Sequence, residues 1–177
     1  MLAEHKPPVY EKTGLSLITS SVRRFPPDCL DPKIHHANLL QSILAKTEAN
    51  FANADDALML DYQGFVAETN ATHLFMVTNN TVYTPHTHAC PEGVTRSTVL
   101  SLCEKHSLAY TVKNLSLTEF YRADEVFCTG TMGEIVAVTQ IDGRRIGYGK
   151  YPITEQLAKW YSDLTATTGT VIMERNQ

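Results

Sequence analysis

Ala123-Asp124-Glu125-Val126-Phe127-Cys128-Thr129-Gly130-Thr131-Met132-Gly133-Glu134-Ile135 is the stretch that decides the fold. Its apolar run, Val126 to Cys128, ends abruptly in Thr-Gly-Thr. A buried strand that stops in small hydroxyl residues offers hydroxyls and free backbone N–H groups together, and that combination holds phosphate or another anion. The stretch predicts a strand over 125–129, a second over 135–141, and a turn at Asp142-Gly143.

Upstream lies a turn of related chemistry, Pro91-Glu92-Gly93-Val94-Thr95-Arg96. A helical pattern follows at once over 95–106, with Val99, Leu102 and Cys103 on its inner side. Gly-Val-Thr-Arg at a helix start points N–H groups and the positive end of the helix dipole at whatever lies in front. Each motif alone is weak, since a glycine ahead of a helix is most often only a turn residue. Thr95 also reads as a plain N-cap, but a cap and an anion site use the same orphan N–H groups.

The remaining elements interleave with these. Residues 15–22 alternate as a strand, and Phe25-Pro26-Pro27-Asp28 with Asp31-Pro32 bracket a loop. Leu39, Leu40, Ile43, Leu44 and Thr47 recur at helical spacing, giving a helix over 37–51. Strands are expected over 57–61 and 65–68 around Tyr62-Gln63-Gly64, and a hairpin of 72–78 with 81–84 turns across Asn79-Asn80. A strand over 110–115 precedes Ser116-Leu117-Thr118-Glu119, which has capping-box spacing. The last helix covers 154–164. So many hairpins among helices predict an α+β fold: a mixed, barrel-like sheet with helices outside.

Length and composition narrow the function. The 177 residues suffice for one domain with a real core, and 43% apolar with 19% charged residues are globular values. A net charge of -4 argues against nucleic acid as a partner. No apolar run is long enough to span a bilayer, and the first eight residues lack an apolar signal core, so no membrane partner is expected. Cys29, Cys90, Cys103 and Cys128 have no CxxC spacing and read as reduced thiols in an intracellular, cytoplasmic protein.

Taken in order, Asp56–Asp61, Gly64-Phe65-Val66-Ala67-Glu68-Thr69-Asn70-Ala71-Thr72, Leu74–Val77, Thr84-Pro85, Gly93-Val94-Thr95-Arg96, Ala123-Asp124-Glu125 and Thr129-Gly130-Thr131 resemble the class IV aminotransferases, the fold type IV pyridoxal-phosphate enzymes. The resemblance runs from about Gly14 to about Leu164, and Glu68-Thr69-Asn70-Ala71-Thr72 looks closest to the branched-chain-aminotransferase-like branch. It implies the barrel-like large domain of D-amino acid aminotransferase-like enzymes, pyridoxal 5'-phosphate as cofactor, and a homodimer. The expected reaction moves an amino group between a branched-chain or related amino acid and a 2-oxo acid. Lyase chemistry of the aminodeoxychorismate type and a catalytically impaired binding or regulatory module are the alternatives. The family also has a smaller N-terminal domain of roughly a hundred residues, an ordinary domain size. The resemblance therefore places a linker remnant at 1–13 and the cofactor-binding large domain at 14–177, without the small domain.

The resemblance also assigns residues. Glu68 follows the Gly64-Phe65-Val66-Ala67 strand, where the family keeps the carboxylate that partners the pyridine nitrogen. A solvated strand-end glutamate is the plain alternative. The phosphate would meet the N–H groups of Val94 and Thr95, the Thr95 hydroxyl, Gly130, and the N–H and hydroxyl of Thr131, with Arg96 directed along the helix surface. Met132 and His35 would stand on the substrate side. Many members carry Asp-Pro-x-Ile-Lys-x-x-Asn, with the Schiff-base lysine three residues before the asparagine. Here the run is Asp31-Pro32-Lys33-Ile34-His35-His36-Ala37-Asn38, so His35 occupies the lysine position. An imidazole cannot take that role. Lys33 would share a face with His35 on an extended strand, about 6.6 Å away, and is assigned as the Schiff-base lysine. The alternative makes Lys33 a surface charge in an inactive protein. No metal is expected, because adjacent histidines on a strand point opposite ways.

Overall fold

A computed structural model describes Tyr10, residues 14–34 and residues 36–169. The expectations for His35 and for the rest of the tail 1–13 lie outside the described residues.

Nine strands form one sheet: β1 (Leu15–Thr19), β2 (Asp56–Leu60), β3 (Val66–Thr69), β4 (His73–Thr78), β5 (Thr81–Thr84), β6 (Tyr110–Val112), β7 (Glu125–Gly130), β8 (Glu134–Ile141) and β9 (Arg144–Arg145). Four helices accompany them: α1 (Leu40–Phe51), α2 (Val94–Lys105), α3 (Leu117–Tyr121) and α4 (Pro152–Thr167). The strand order is β3-β2-β1-β8-β7-β4-β5-β6, with β9 on β8. β1 runs parallel to both β2 and β8, and β5 runs parallel to β6, whereas the hairpin pairs are antiparallel. The row curls on itself, so that Val66 N–H donates to the Leu115 carbonyl at 2.9 Å, joining the β3 end to the chain just past β6. The result is a half-barrel of mixed sheet with helices outside, as the residue pattern implies.

The two-residue period of the strands sorts the core. Leu58 and Leu60, Leu74 and Met76, and Val126 and Cys128 point into the curl, where they meet Leu17, Val138, Leu115 and Phe120. Their alternates, Phe75, Val77 and Phe127, face outward against Val99, Leu102 and Cys103 of α2 and Leu157 of α4. Phe75 and Phe127 stack at 4.9 Å. Ala57 and Met59 of β2 meet Ala45 and Ala49 of α1.

Local chemistry sets the ends of the elements. Asn79 and Asn80 both hold positive φ, as do Asp142 and Gly143, the backbone that two-residue hairpin turns need. Ser116 and Glu119 form the capping box over α3. The Glu125 carboxylate accepts from Ile153 N, Thr154 N and Thr154 Oγ1, capping α4 from a distant strand. Some sequence expectations shift, and one strand had none. β6 stops at Val112, since Lys113 N–H turns to the Thr84 carbonyl. β9 carried no pattern, because only two residues pair. Helix α1 starts at Leu40 rather than residue 37.

Candidate active-site cleft

The end of β3, the start of β4, the end of β7 and the start of α2 converge at one rim of the sheet. Residues 70–72 turn β3 into β4, fixed by Thr69 N–H to the Thr72 carbonyl at 2.7 Å and by Thr69 Oγ1 to Thr72 Oγ1 at 2.8 Å. His73 then pairs opposite Thr129 of β7. Its Nε2 lies 2.8 Å from the Pro91 carbonyl oxygen, and its ring packs on Gly93, where a Cβ would strike it. Gly93 has φ +73°, so two requirements keep a side chain away from that position.

Glu68 is buried at this rim and forms an ion pair with Arg24. Its other oxygen, Oε2, lies 4.0 Å from His73 Nε2. Burial pushes the Glu68 carboxyl up to about 7, and the Arg24 guanidinium opposes that rise. Burial holds His73 below the ordinary histidine range, so a neutral imidazole is favoured beside the carboxylate. Burial also pushes the neighbouring Cys90 thiol up to about 12.

Arg24, Phe25, Lys33, Glu68, His73 and Pro91 are among the lining of one open cleft of about 380 Å³. Lys33 is therefore on the same cleft as Glu68, but not on an extended strand. Ile34 N–H reaches the Asp31 carbonyl at 3.1 Å and Lys33 N–H reaches Asp31 Oδ1 at 3.0 Å, which makes this segment a turn. The same-face argument for Lys33 and position 35 thus loses its geometry. Lys33 Nζ instead lies 3.8 Å from Glu92 Oε1, spanning from the loop to the turn before α2.

The Val94 and Thr95 N–H groups make no hydrogen bond among the described residues, and α2 has no side-chain cap. Val94 is exposed and Thr95 buried. Thr131 and Met132 are exposed beyond the end of β7, and Gly130 packs on Thr72. Arg96 departs from its expected place: it is buried, and Nη2 donates to the Pro85 carbonyl at 3.0 Å. A helix start wedged against the loop after β5 leaves it no free surface.

One residue at the rim had no sequence signal. Arg24 is 44 positions from Glu68, one of 15 lysines and arginines. A buried carboxylate demands a cation, but not a particular one. Thr129, of the Thr-Gly-Thr motif, is fully buried, with an Oγ1 that has no hydrogen-bond partner among the described residues.

A half-barrel whose rim gathers a buried, cation-paired carboxylate, an uncapped helix start and a Thr-Gly-Thr strand end has the layout of a small-molecule enzyme site. The chain belongs to the class IV aminotransferase family, whose pattern, amino-transferase class IV, matches residues 1–141. Within that family it groups by sequence and structure with branched-chain aminotransferases. It is 52% identical over 174 residues to branched-chain-amino-acid aminotransferase-like protein 2 of Arabidopsis thaliana, covering 97% of this chain and 31% of that protein. It is 39% identical to a putative branched-chain-amino-acid aminotransferase of Methanocaldococcus jannaschii, covering 92% and 57%. The branched-chain amino acid aminotransferase of Thermobaculum terrenum, solved in its PLP-form, superposes with a TM-score of 0.83 at 35% identity, covering 87% of this chain and 52% of that one. The chain thus spans about a third to a little over half the length of these relatives. No helix among the described residues is long and apolar enough to cross a membrane.

Proposed function

We propose that this chain carries the cofactor-binding half of a pyridoxal-phosphate-dependent aminotransferase acting on a branched-chain or related amino acid and a 2-oxo acid. The observation that carries this reading is the buried Glu68–Arg24 pair in a cleft that Lys33 also lines. The residues fit the cofactor's two ends. A buried carboxylate whose charged form a guanidinium favours against the effect of burial suits a protonated ring nitrogen. Free N–H groups at an uncapped helix start suit a phosphate.

When bound, the cofactor supplies the electron sink for breaking the bond to the substrate's Cα proton. Glu68 would hold the proton on the ring nitrogen, and Arg24 favours the ionised form of Glu68 against the effect of burial. Val94 and Thr95 N–H groups, the Thr95 hydroxyl, Gly130 and Thr131 hold the phosphate. Lys33 would hold the cofactor through its Nζ and would take and return the substrate's Cα proton. Met132, exposed beside Thr131, stands on the substrate side. The outward side of α1 serves a second copy of the chain: Ile34, Leu39, Leu40, Ile43 and Leu44 are 47–59% exposed there, and Ile34 and Leu39 also line the cleft.

Borohydride reduction with the cofactor, followed by peptide mapping, tests the attachment. Label on Lys33 is expected, and label elsewhere or nowhere removes the assignment. A second reading, a binding module without turnover, is favoured by one observation: Lys33 is half exposed and faces Glu92 from a turn. Absence of any label in a folded, cofactor-saturated protein selects that reading. In a form with activity, Glu68→Ala is expected to lower the transamination half-reaction by at least about 100-fold while circular dichroism stays native, because the ring nitrogen loses its anionic partner. Near-normal rates mean that another group meets the ring.

A further inference from the structure

Behind the cleft, Glu68, His73 and Cys90 bring a carboxylate oxygen, an imidazole nitrogen and a thiol sulfur within 4.8 Å of one another. They come from the end of β3, the start of β4 and the turn before α2, at sequence spacings of five and seventeen that match no metal motif. We propose that these three side chains form a binding site for a thiophilic divalent cation of the zinc type, and that cation and cofactor exclude each other there. The exclusion rests on the reading above, in which Glu68 meets the ring nitrogen.

The donor set is one that zinc accepts: thiolate, imidazole and carboxylate, with a fourth position open toward the cleft. Tetrahedral zinc holds its ligand atoms roughly 3.3–3.7 Å apart, so no pair of the three atoms has to close by more than about 1.5 Å on binding. The geometry leaves the needed atoms on the correct side. Arg24 sits on Glu68 Oε1, whereas Oε2 faces His73 at 4.0 Å. Among the described residues, Glu68 Oε1 is buried with the Arg24 ion pair as its one partner and no well-aligned hydrogen bond, so the carboxylate is incompletely satisfied. His73 Nε2 exchanges the Pro91 carbonyl for the cation, and the Cys90 thiol proton leaves to solvent. Thiolate and carboxylate together balance the divalent charge, and Arg24 keeps its contact with the far oxygen of Glu68. A cation held here takes the carboxylate lone pairs on which the ring nitrogen depends.

The test uses cadmium as the zinc-type probe and the full chain without cofactor, in a Cys29→Ser background, because Cys29 is the exposed thiol. One equivalent of cadmium is expected to produce the ultraviolet thiolate-to-cadmium charge-transfer band. Cys90→Ala should abolish it, and His73→Asn should weaken binding by more than the roughly 10–100-fold that loss of an outer-shell partner costs. Circular dichroism establishes that both variants fold, and His73→Asn stands alone if Cys90→Ala does not. No band, or a band that survives both substitutions, overturns the site. Prior saturation with pyridoxal phosphate should suppress the band. A Cys90-dependent band that persists beside bound cofactor leaves the cation site standing, but overturns both the exclusion and the place of Glu68 at the ring nitrogen.

Discussion

Helices α1 and α2 are both twelve residues long and both announce themselves by apolar residues at helical spacing, yet they are mounted in opposite senses. α2 turns Val99, Leu102 and Cys103 onto the outer face of the sheet, beneath α4. α1 turns its small residues, Ala45 and Ala49, onto Ala57 and Met59, and leaves Leu40, Ile43 and Leu44 outside. Polar anchors fix that choice. Glu48 accepts from Ser20 Oγ and Ser21 N–H, and Lys46 pairs with Asp56 at 3.1 Å, so the anchored side of α1 is the alanine side. Periodicity reveals an apolar stripe; only the facing strand decides whether that stripe is core or contact surface. Alanine against alanine lets α1 approach β2 closely, which bulky residues would prevent.

The largest expected stability effect of this contrast is on the closed helix. Leu102→Ala should cost about 3 kcal/mol in denaturant unfolding, since the cavity lies between two packed layers and cannot collapse. A loss below about 1 kcal/mol would mean α2 is not seated as described. Ala49→Leu comes next. It forces a bulky side chain between α1 and β2 and should cost about 2 kcal/mol by overpacking. A neutral outcome would place the alanine side of α1 away from the sheet. The smallest effect is expected from Leu40→Ser with Ile43→Ser. Stability should change by less than about 1 kcal/mol. Sedimentation should nevertheless shift toward monomer, and unchanged self-association would detach α1 from any contact between copies.

Much of the fold was legible because its signals are local. Two-residue alternation at Leu74–Val77 and Val126–Cys128, the Asn79-Asn80 turn and the Ser116–Glu119 box each need only a few neighbours. The candidate rim was legible where a motif is contiguous: Glu68, the Gly93-Val94-Thr95 helix start and Thr129-Gly130-Thr131 come to one rim, whatever they hold there. What escaped depends on distance along the chain. Arg24 reaches Glu68 only after β1, β2 and β3 have stacked side by side. Arg96 is buried because the loop after β5 passes over it, which no helical wheel reveals. Lys33 was read as extended, but Asp31 draws the backbone of Lys33 and Ile34 into a turn, a side-chain effect that periodicity does not register.

β1 has a consequence for how the molecule is made. It lies between β2 and β8 in the row, and Thr19 donates from both N–H and Oγ1 to the Asp142 carboxylate across 123 residues of sequence. Leu15–Thr19 leaves the ribosome before its partner, and one of its edges stays unpaired until Val138–Ile141 has been synthesised. At about 5–20 residues per second, that edge waits some 6–25 seconds. During that interval an apolar strand with a free row of N–H and carbonyl groups is the nascent chain's most exposed template for wrong pairing.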